Sequence, residues 1–248
     1  MKLYLDVGNS SVKWMWDGQG VSGTQHVCQR PEEGSIGACL DELFAEGHEP
    51  TMVAMVSVAG RQVDRQLRSR LKDQWPDVRV RAFRSRKKCC GVKNGYADPA
   101  QLGDDRWAAL VGARELTGRP CCIVDCGTAV TVDYLSGDGA HRGGLIMPGL
   151  EMMRRALQSG TAGVSLEGDG RPSLLAADTR SAVLGGTLYM LAAGVERVVD
   201  ELAEAAPGEM ELLLTGSGAD ELASLLSRPS QVVPDLVLRG VRRMEKAG

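Results

Sequence analysis

The sequence predicts an α/β protein built from two related halves, residues 1–117 and 118–248. Apolar stretches that suit buried strands alternate with charged stretches of helical periodicity along the chain. An apolar strand ends in an acidic–glycine turn twice, as Asp6-x-Gly8 and Asp125-x-Gly127, 119 residues apart. The same offset aligns two further glycine pairs, Gly18 with Gly137 and Gly20 with Gly139. Strand, turn, strand and turn thus recur in register, which indicates a duplication.

The first half contains five predicted strands and three predicted helices. Apolar or β-branched stretches predict strands over 2–7, 11–16, 21–27, 51–58 and 78–83. Apolar residues at helical spacing predict helices over 35–45, with Ser35 as its cap, 61–74 and 99–115. Residues 84–98 are polar and basic and predict a loop, which ends at Asp98 as an N-cap followed by proline.

The second half follows the same alternation. Strands are predicted over 121–125, 143–147 and 212–214. Helices are predicted over 150–157, 179–206 and 220–226, and the long one is expected to break near Gly185-Gly186.

Composition excludes several classes of protein. With 43% hydrophobic and 25% charged residues the chain is not disordered. A net charge of −3 lacks the basic footprint of a nucleic-acid-binding protein, and 4% aromatic residues leave little for base stacking. We expect no apolar stretch of membrane-spanning length. Seven cysteines without a Cys-x-x-Cys motif predict free thiols in a reducing compartment. The chain is therefore predicted to be soluble and cytoplasmic, without a membrane or nucleic-acid partner.

The two acidic–glycine turns suit a phosphate cradle. Glycine lets backbone N–H groups approach phosphate oxygens, and small hydroxyl side chains add donors. Because an aspartate repels phosphate, each turn implies a cation between the two. A single Asp-x-Gly is more often an ordinary hairpin turn, but two in matched halves favour the phosphate interpretation.

Five motifs carry a resemblance to a known family. They are Asp6-Val7-Gly8-Asn9-Ser10-Ser11-Val12-Lys13, Gly103-Asp104-Asp105-Arg106, Asp125-Cys126-Gly127-Thr128-Ala129, Gly143-Gly144-Leu145-Ile146-Met147-Pro148-Gly149 and Thr215-Gly216-Ser217-Gly218. In order and spacing the chain resembles the type III pantothenate kinases from residue 3 to about 240. That family is similar to the acetate kinase, sugar kinase, Hsp70 and actin group. The resemblance implies two ribonuclease-H-like domains with an interdomain active-site cleft, and ATP-dependent phosphorylation of pantothenate to 4′-phosphopantothenate, the first step of coenzyme A biosynthesis.

The resemblance also implies roles for individual residues. Asp105 is expected to be the catalytic base, and Asp125 to hold a monovalent cation, K⁺ or NH₄⁺. Asp6 is expected to face the Mg²⁺ of bound ATP. The expected ATP-binding residues are Asp6, Val7, Gly8, Asn9, Ser10, Ser11, Val12, Lys13 and Thr128. The expected pantothenate-binding residues are Tyr96, Gly103, Asp104, Asp105, Arg106 and Thr179. A homodimer is implied as well, and the long helix 179–206 offers a plausible interface.

The chain departs from the family pattern at two positions. Asp98 stands where the family often has asparagine before proline, and Asp178 where it has asparagine before the threonine. Both departures bear on the shape of the substrate pocket and leave the predicted base and phosphate turns unchanged.

The chemistry of Asp105 and Arg106 agrees with these roles on independent grounds. A primary hydroxyl that accepts a phosphoryl group needs a carboxylate to take its proton. An arginine fork suits a substrate carboxylate, which pantothenate has. On periodicity alone, an exposed Asp–Arg pair on a solvated helix is an equal alternative.

Other signals lead to weaker hypotheses. Gly18-x-Gly20-x-x-Gly23 matches the dinucleotide fingerprint in spacing, but no helical pattern follows it. The basic run 84–88 favours a solvated loop over attraction of an anionic substrate. Two other functions remain open: a kinase of another small hydroxyl compound, and a regulatory or accessory protein of the same fold. The joint presence of Asp6, Asp105 and Asp125 argues against the latter.

Overall fold

The structure is a computed structural model, and it describes residues 1–18, 23–30, 36–206 and 208–248. Gly20, the predicted cap Ser35 and the first two residues of the predicted strand 21–27 lie outside the described residues.

The chain divides into two compact units. Unit 1 comprises Met1–Gly118, Gly139–His141 and Asp235–Gly248, and unit 2 comprises Arg119–Asp138 and Arg142–Pro234. The last fourteen residues thus pack with the first unit, whereas the predicted boundary assigns them to the second half. The assignment of domains 1–117 and 118–248 stays a prediction.

Unit 1 is built on a five-stranded mixed sheet. Its strands are β1 (Lys2–Val7), β2 (Ser11–Asp17), β3 (Gln25–Gln29), β4 (Met52–Ser57) and β5 (Arg79–Ala82), in the order β3-β2-β1-β4-β5. A separate hairpin consists of β6 (Lys88–Cys89) and β7 (Val92–Lys93). The helices are α1 (Gly37–Ala45), α2 (Arg61–Gln74) and α3 (Asp104–Leu116), together with α7 (Leu236–Lys246) at the end of the chain. Apolar side chains of the sheet, α1 and α2 form one buried cluster.

Unit 2 contains a sheet of the same design. Its strands are β8 (Cys121–Cys126), β9 (Ala129–Leu135), β10 (His141–Pro148), β11 (Glu211–Thr215) and β12 (Gln231–Val232), in the order β10-β9-β8-β11-β12. Its helices are α4 (Leu150–Gly160), α5 (Thr179–Ala205) and α6 (Ala219–Ala223). In each sheet the strands follow the order third, second, first, fourth, fifth. The predicted fold class, two related mixed sheets flanked by helices, is confirmed.

Two predicted elements between 84 and 115 differ from the structure. The predicted loop 84–98 contains the β6–β7 hairpin. The predicted helix 99–115 is a 3-10 turn, Pro99–Gln101, followed by α3 from Asp104. Leu102 buries its side chain and takes extended backbone angles, so the chain leaves the helical path there and begins a new helix.

The long helix α5 does not break at its two glycines. A Cβ at Gly185 would lie 2.1 Å from the Ser173 carbonyl oxygen, so this glycine permits a close backbone approach. By length and composition alone α5 could cross a membrane, a test that a buried core helix also passes. The expectation that no stretch of the chain spans a membrane stays a prediction. Leu191, Val195 and Val199 of α5 pack into the core of unit 2.

The terminal helix α7 was absent from the sequence prediction. It packs closely along α3, because two glycines remove side chains from the contact. A Cβ at Gly240 would lie 1.8 Å from the Ala108 carbonyl oxygen, and one at Gly112 would lie 2.3 Å from that of Leu236.

Candidate active site

The first acidic–glycine turn joins β1 to β2 in unit 1. Asp6 pairs with Lys13 across the two strands, and Lys13 Nζ lies 3.6 Å from Asp6 Oδ2. Both side chains are largely buried, with 8% and 11% of their surfaces exposed. The Gly8 amide donates to the Ser11 carbonyl oxygen at 2.9 Å and closes the turn, while Asn9 and Ser10 are exposed. The first predicted phosphate-binding turn therefore has a positively charged side chain, Lys13, beside its carboxylate, Asp6.

Arg30, which was not among the predicted site residues, contacts the carbonyl oxygens of this turn. Its Nη1 donates to the carbonyl oxygens of Gly8 at 2.6 Å and Asn9 at 3.0 Å, and its side chain is buried. The Arg30 amide also donates to the Ser10 carbonyl oxygen at 2.7 Å. With their carbonyls engaged by a guanidinium, these peptides are held in one orientation. A lone arginine after a predicted strand gives no sequence signal for this contact.

The predicted base Asp105 lies in the first turn of α3. The Arg106 amide donates to Asp105 Oδ1 at 2.7 Å. A Cβ at Gly103 would lie 2.5 Å from the same oxygen, so a larger residue there would require this carboxylate to move. Asp105 is partly exposed. The Gly-x-Asp-Arg motif thus has a steric reason, with the glycine making space for the acid two residues later.

Arg106, Tyr96 and His141 form a stack beside Asp105. The buried Arg106 side chain donates from Nη1 to the Tyr96 hydroxyl oxygen at 3.0 Å. The Tyr96 ring stacks on His141 with centroids 5.7 Å apart and 20° between the planes. The Tyr96 amide donates to Asn94 Oδ1 at 2.9 Å, which fixes the loop. The structure brings together three predicted substrate residues, and His141 is a support that the sequence did not reveal.

Asp104 ties the start of α3 to the loop after β5. Arg84 Nη1 lies 2.6 Å from Asp104 Oδ2, and the Ser85 amide donates to Asp104 Oδ1 at 2.7 Å. Arg84 also reaches the Ser57 carbonyl oxygen at 3.3 Å and Asp64 Oδ2 at 3.3 Å. Its hydrogen bond to Asp104 raises the pKa of Arg84. The first residue of the basic run therefore links the end of β4 to α3, while all four basic side chains of the run are exposed, as the solvated loop predicted.

The second acidic–glycine turn, in unit 2, lies among the other two glycine motifs. A Cβ at Gly216, where φ is +88°, would lie 2.5 Å from Asp125 Oδ1. The Gly149 amide donates to the Thr128 carbonyl oxygen at 3.1 Å, and a Cβ there would lie 2.4 Å from that oxygen. The Gly218 amide donates to the Cys126 carbonyl oxygen at 3.0 Å. Three motifs far apart in sequence thus meet at the second acidic–glycine turn.

Thr179 is the first residue of α5 and is exposed. Asp178 caps this helix, because its Oδ1 accepts the Ser181 amide at 2.8 Å. The same bond lowers the pKa of Asp178. Asp98 caps the 3-10 turn in the same way, through the Ala100 amide at 3.0 Å. Asparagine and aspartate serve equally as caps, which accounts for both departures from the family pattern.

The implied cations, Mg²⁺ and K⁺ or NH₄⁺, are hard ions that prefer oxygen ligands. Within the described residues no group of three or more His, Cys, Asp or Glu side chains is placed to hold a metal ion. For a Mg²⁺ carried by nucleotide phosphates the chain offers the Asp6 carboxylate, which lies beside Lys13. The Asp125 carboxylate and the Cys126 carbonyl oxygen both face the position that a side chain at Gly216 would occupy. Such oxygen donors suit a hard monovalent cation.

The repeated sheet, with an acidic–glycine turn after the first strand of each copy, defines the sugar kinase and actin class of fold. A glucokinase of the ROK family from Streptomyces griseus, solved with glucose and AMPPNP, matches with a TM-score of 0.54 at 15% identity, over 99% of this chain and 98% of that one. The family model for type III pantothenate kinase matches residues 2–201. A type III pantothenate kinase from Nitrosococcus oceani is 36% identical over 99% of this chain and 94% of its own length. One from Azoarcus sp. is 40% identical over 97% and 89%. The chain belongs to the type III pantothenate kinase family, and its enzyme class is a phosphotransferase.

Proposed function

We propose that this chain transfers a phosphoryl group from ATP to the primary hydroxyl of pantothenate and forms 4′-phosphopantothenate. The observation that carries the proposal is the start of α3. There a partly exposed carboxylate, Asp105, adjoins a buried guanidinium, Arg106, which Tyr96 holds in position. A hydroxyl-bearing carboxylic acid offers one group to each of them.

Asp105 acts as the general base. It accepts the proton of the attacking hydroxyl as the bond to phosphorus forms, a contribution of about 10²–10⁴ in rate. Its Oδ1 accepts the Arg106 amide, so the base is positioned before substrate arrives. Gly103 and Asp104 line the same turn, and Asp104 supports it through Arg84.

Arg106 binds the substrate carboxylate. Its Nη1 is directed by the Tyr96 hydroxyl and its Cζ lies 5.7 Å from the Tyr96 ring centroid. A planar guanidinium pairs with a carboxylate through two parallel hydrogen bonds. Binding at that end leaves the hydroxyl end of pantothenate free to reach Asp105.

The two acidic–glycine turns hold the ATP phosphates. Exposed Asn9 and Ser10 present donors in the first turn, with Lys13 supplying positive charge beside Asp6. Thr128 contributes from the second turn. When bound, Mg²⁺ on the phosphates and K⁺ or NH₄⁺ at Asp125 offset the negative charge of the nucleotide.

A homodimer is part of this proposal. In unit 2 several large apolar side chains are exposed, among them Ile146 at 66% and Met190 of α5 at 60%. Thr179 and Met190 both line an apolar groove of about 700 Å³ between α4 and α5. Contiguous exposed apolar surface of this kind suits association of two copies. Sedimentation of Met190→Glu should show monomer, whereas Arg68→Glu, at an exposed position of α2 in unit 1, should sediment like the wild type.

ADP release against a panel of hydroxyl acids tests the activity. We expect turnover with pantothenate that depends on ATP and disappears in Asp105→Asn. Turnover with another hydroxyl compound alone would identify a different acceptor. No turnover with any of them would favour the accessory role. Cytoplasmic location stays a prediction.

A further inference from the structure

Two adjacent cysteines, Cys89 and Cys90, stand at the tip of the β6–β7 hairpin with their Sγ atoms 3.4 Å apart. Consecutive side chains of a strand normally point to opposite faces. Cys90 has a φ of +50°, and within the described residues no other non-glycine residue has a positive φ. This left-handed conformation, unfavourable for a residue with a Cβ, brings its thiol to the side of Cys89. Both side chains are partly exposed.

A second neighbouring pair in the same chain shows what an ordinary arrangement looks like. Cys121 and Cys122 are consecutive residues of β8 and both are fully buried. Their side chains alternate across the sheet, as strand geometry requires. Burial raises the pKa of Cys122 to about 12. Adjacency in sequence alone therefore does not produce a usable pair of thiols.

We propose that Cys89 and Cys90 form a dithiol site that chelates a trivalent thiophilic centre, the chemical class of arsenite and its organic derivatives. Two sulfurs at this separation can both bond to one bridging atom, and sulfur ligands select soft centres. The reaction is a condensation. Two As–S bonds form, two As–O bonds break, and each thiol proton leaves with a hydroxide as water. Arsenic keeps its oxidation state, so no oxidant or reductant is required.

The geometry favours a bridging atom over a direct disulfide. Adjacent Cα atoms lie about 3.8 Å apart across a trans peptide, below the roughly 4.4–6.8 Å usual for disulfides. A direct S–S bond of about 2.05 Å would require the two sulfurs to approach well inside their present 3.4 Å. A bridging atom leaves them close to where they are.

The surroundings of Cys90 hold the pair in place and keep the Cys90 thiol protonated. The Cys90 thiol donates to the Arg243 carbonyl oxygen at 3.7 Å, which anchors the hairpin tip on α7. Burial raises the pKa of Cys90 to about 11, although the positive charges of Arg243 and Arg86 lower it in part. Since the thiolate is the species that reacts with oxidants, a thiol form at neutral pH is protected from them.

Intact-mass measurement of the folded protein with phenylarsine oxide tests the site. We expect uptake of one equivalent by the wild type, removed by a dithiol but retained in a monothiol. Cys89→Ser and Cys90→Gly should bind about 10²–10⁴-fold more weakly, the usual loss when a second tethered contact is removed. Cys90→Gly also relieves the positive φ, so it preserves the turn. Cys121→Ala, which disrupts the buried pair, should bind like the wild type.

Three results would overturn the proposal. The first is equal uptake by the wild type, Cys89→Ser and Cys90→Gly. The second is an adduct on the wild type that a monothiol removes as readily as a dithiol. The third is loss of two hydrogens in place of uptake, which would mean that the two cysteines form a disulfide with each other. Because mass is the readout, none of these results depends on the kinase activity.

Discussion

Arg30 Nη1 donates to the Gly8 carbonyl oxygen at 2.6 Å, and this bond fixes one peptide of the first acidic–glycine turn. A buried guanidinium that engages the carbonyl oxygens of a turn holds those peptides in one orientation. The residue that shapes the turn is thus twenty-two positions away from it in sequence.

Replacement of Arg30 should weaken ATP binding. In Arg30→Met the Gly8 and Asn9 carbonyls lose a charged donor, and bonds of this kind are worth about 1.5–3 kcal/mol. We expect KM for ATP to rise roughly ten- to a hundred-fold, with KM for pantothenate little changed. Steady-state kinetics with each substrate varied gives both values. Arg68→Met, on the exposed face of α2, is the control, and equal changes in both KM values would contradict the assigned role.

Asp105→Asn should abolish base catalysis while the site still binds. Asparagine keeps the size of the side chain but cannot accept the hydroxyl proton, so we expect turnover to fall by ~10²–10⁴. Calorimetric titration should give nearly unchanged affinities for ATP and pantothenate. Turnover near the wild-type value would remove Asp105 from the chemistry.

Arg106→Lys should discriminate between ligands with and without a carboxylate. An ammonium cannot reproduce the planar two-bond contact of a guanidinium, and loss of such a contact costs about 1.5–3 kcal/mol. Pantothenate affinity should therefore fall roughly ten- to a hundred-fold. Pantothenol, which has an alcohol in place of the carboxylate, should bind weakly to both proteins and with little difference. Equal losses for the two ligands would mean that Arg106 has a structural role.

Activity should depend on a monovalent cation through Asp125. A carboxylate near nucleotide phosphates opposes ATP binding unless a cation lies between them. With K⁺ replaced by a bulky organic cation at constant ionic strength and Mg²⁺, activity should drop. Asp125→Asn should be less sensitive to the replacement. Unchanged activity of the wild type without K⁺ or NH₄⁺ would argue against the site.

Gly240→Ala should destabilise unit 1. Its Cβ would lie 1.8 Å from the Ala108 carbonyl oxygen, so α7 must move away from α3. Overpacking of this kind costs about 1–3 kcal/mol of unfolding free energy. Gly194→Ala in α5 is the matched control, because a Cβ there meets nothing within 4 Å. That change should stabilise by roughly 0.5–1 kcal/mol through helix propensity. Urea unfolding measures both, and equal effects would show that the α3–α7 contact is looser than described.

Much of the fold followed from local signals in the sequence. The apolar strands, α2 and the two acidic–glycine turns depend on patterns that repeat within a few residues, and each was predicted close to its observed position. Two features that the sequence prediction missed have no such pattern. The β6–β7 hairpin has two residues in each strand, which is too short to show an alternation. The restart of the helix at Asp104 depends on burial of Leu102, a tertiary effect.

By itself the sequence determined the two-fold repeat, the fold class and the family, because these rest on strand periodicity and on motifs of contiguous residues. The tertiary structure alone decided what surrounds those motifs: Arg30 behind the first turn, His141 under Tyr96, and Gly216 against Asp125. Each of these contacts joins residues far apart in the chain. Such contacts depend on how strands and helices pack, so no local pattern in the sequence encodes them.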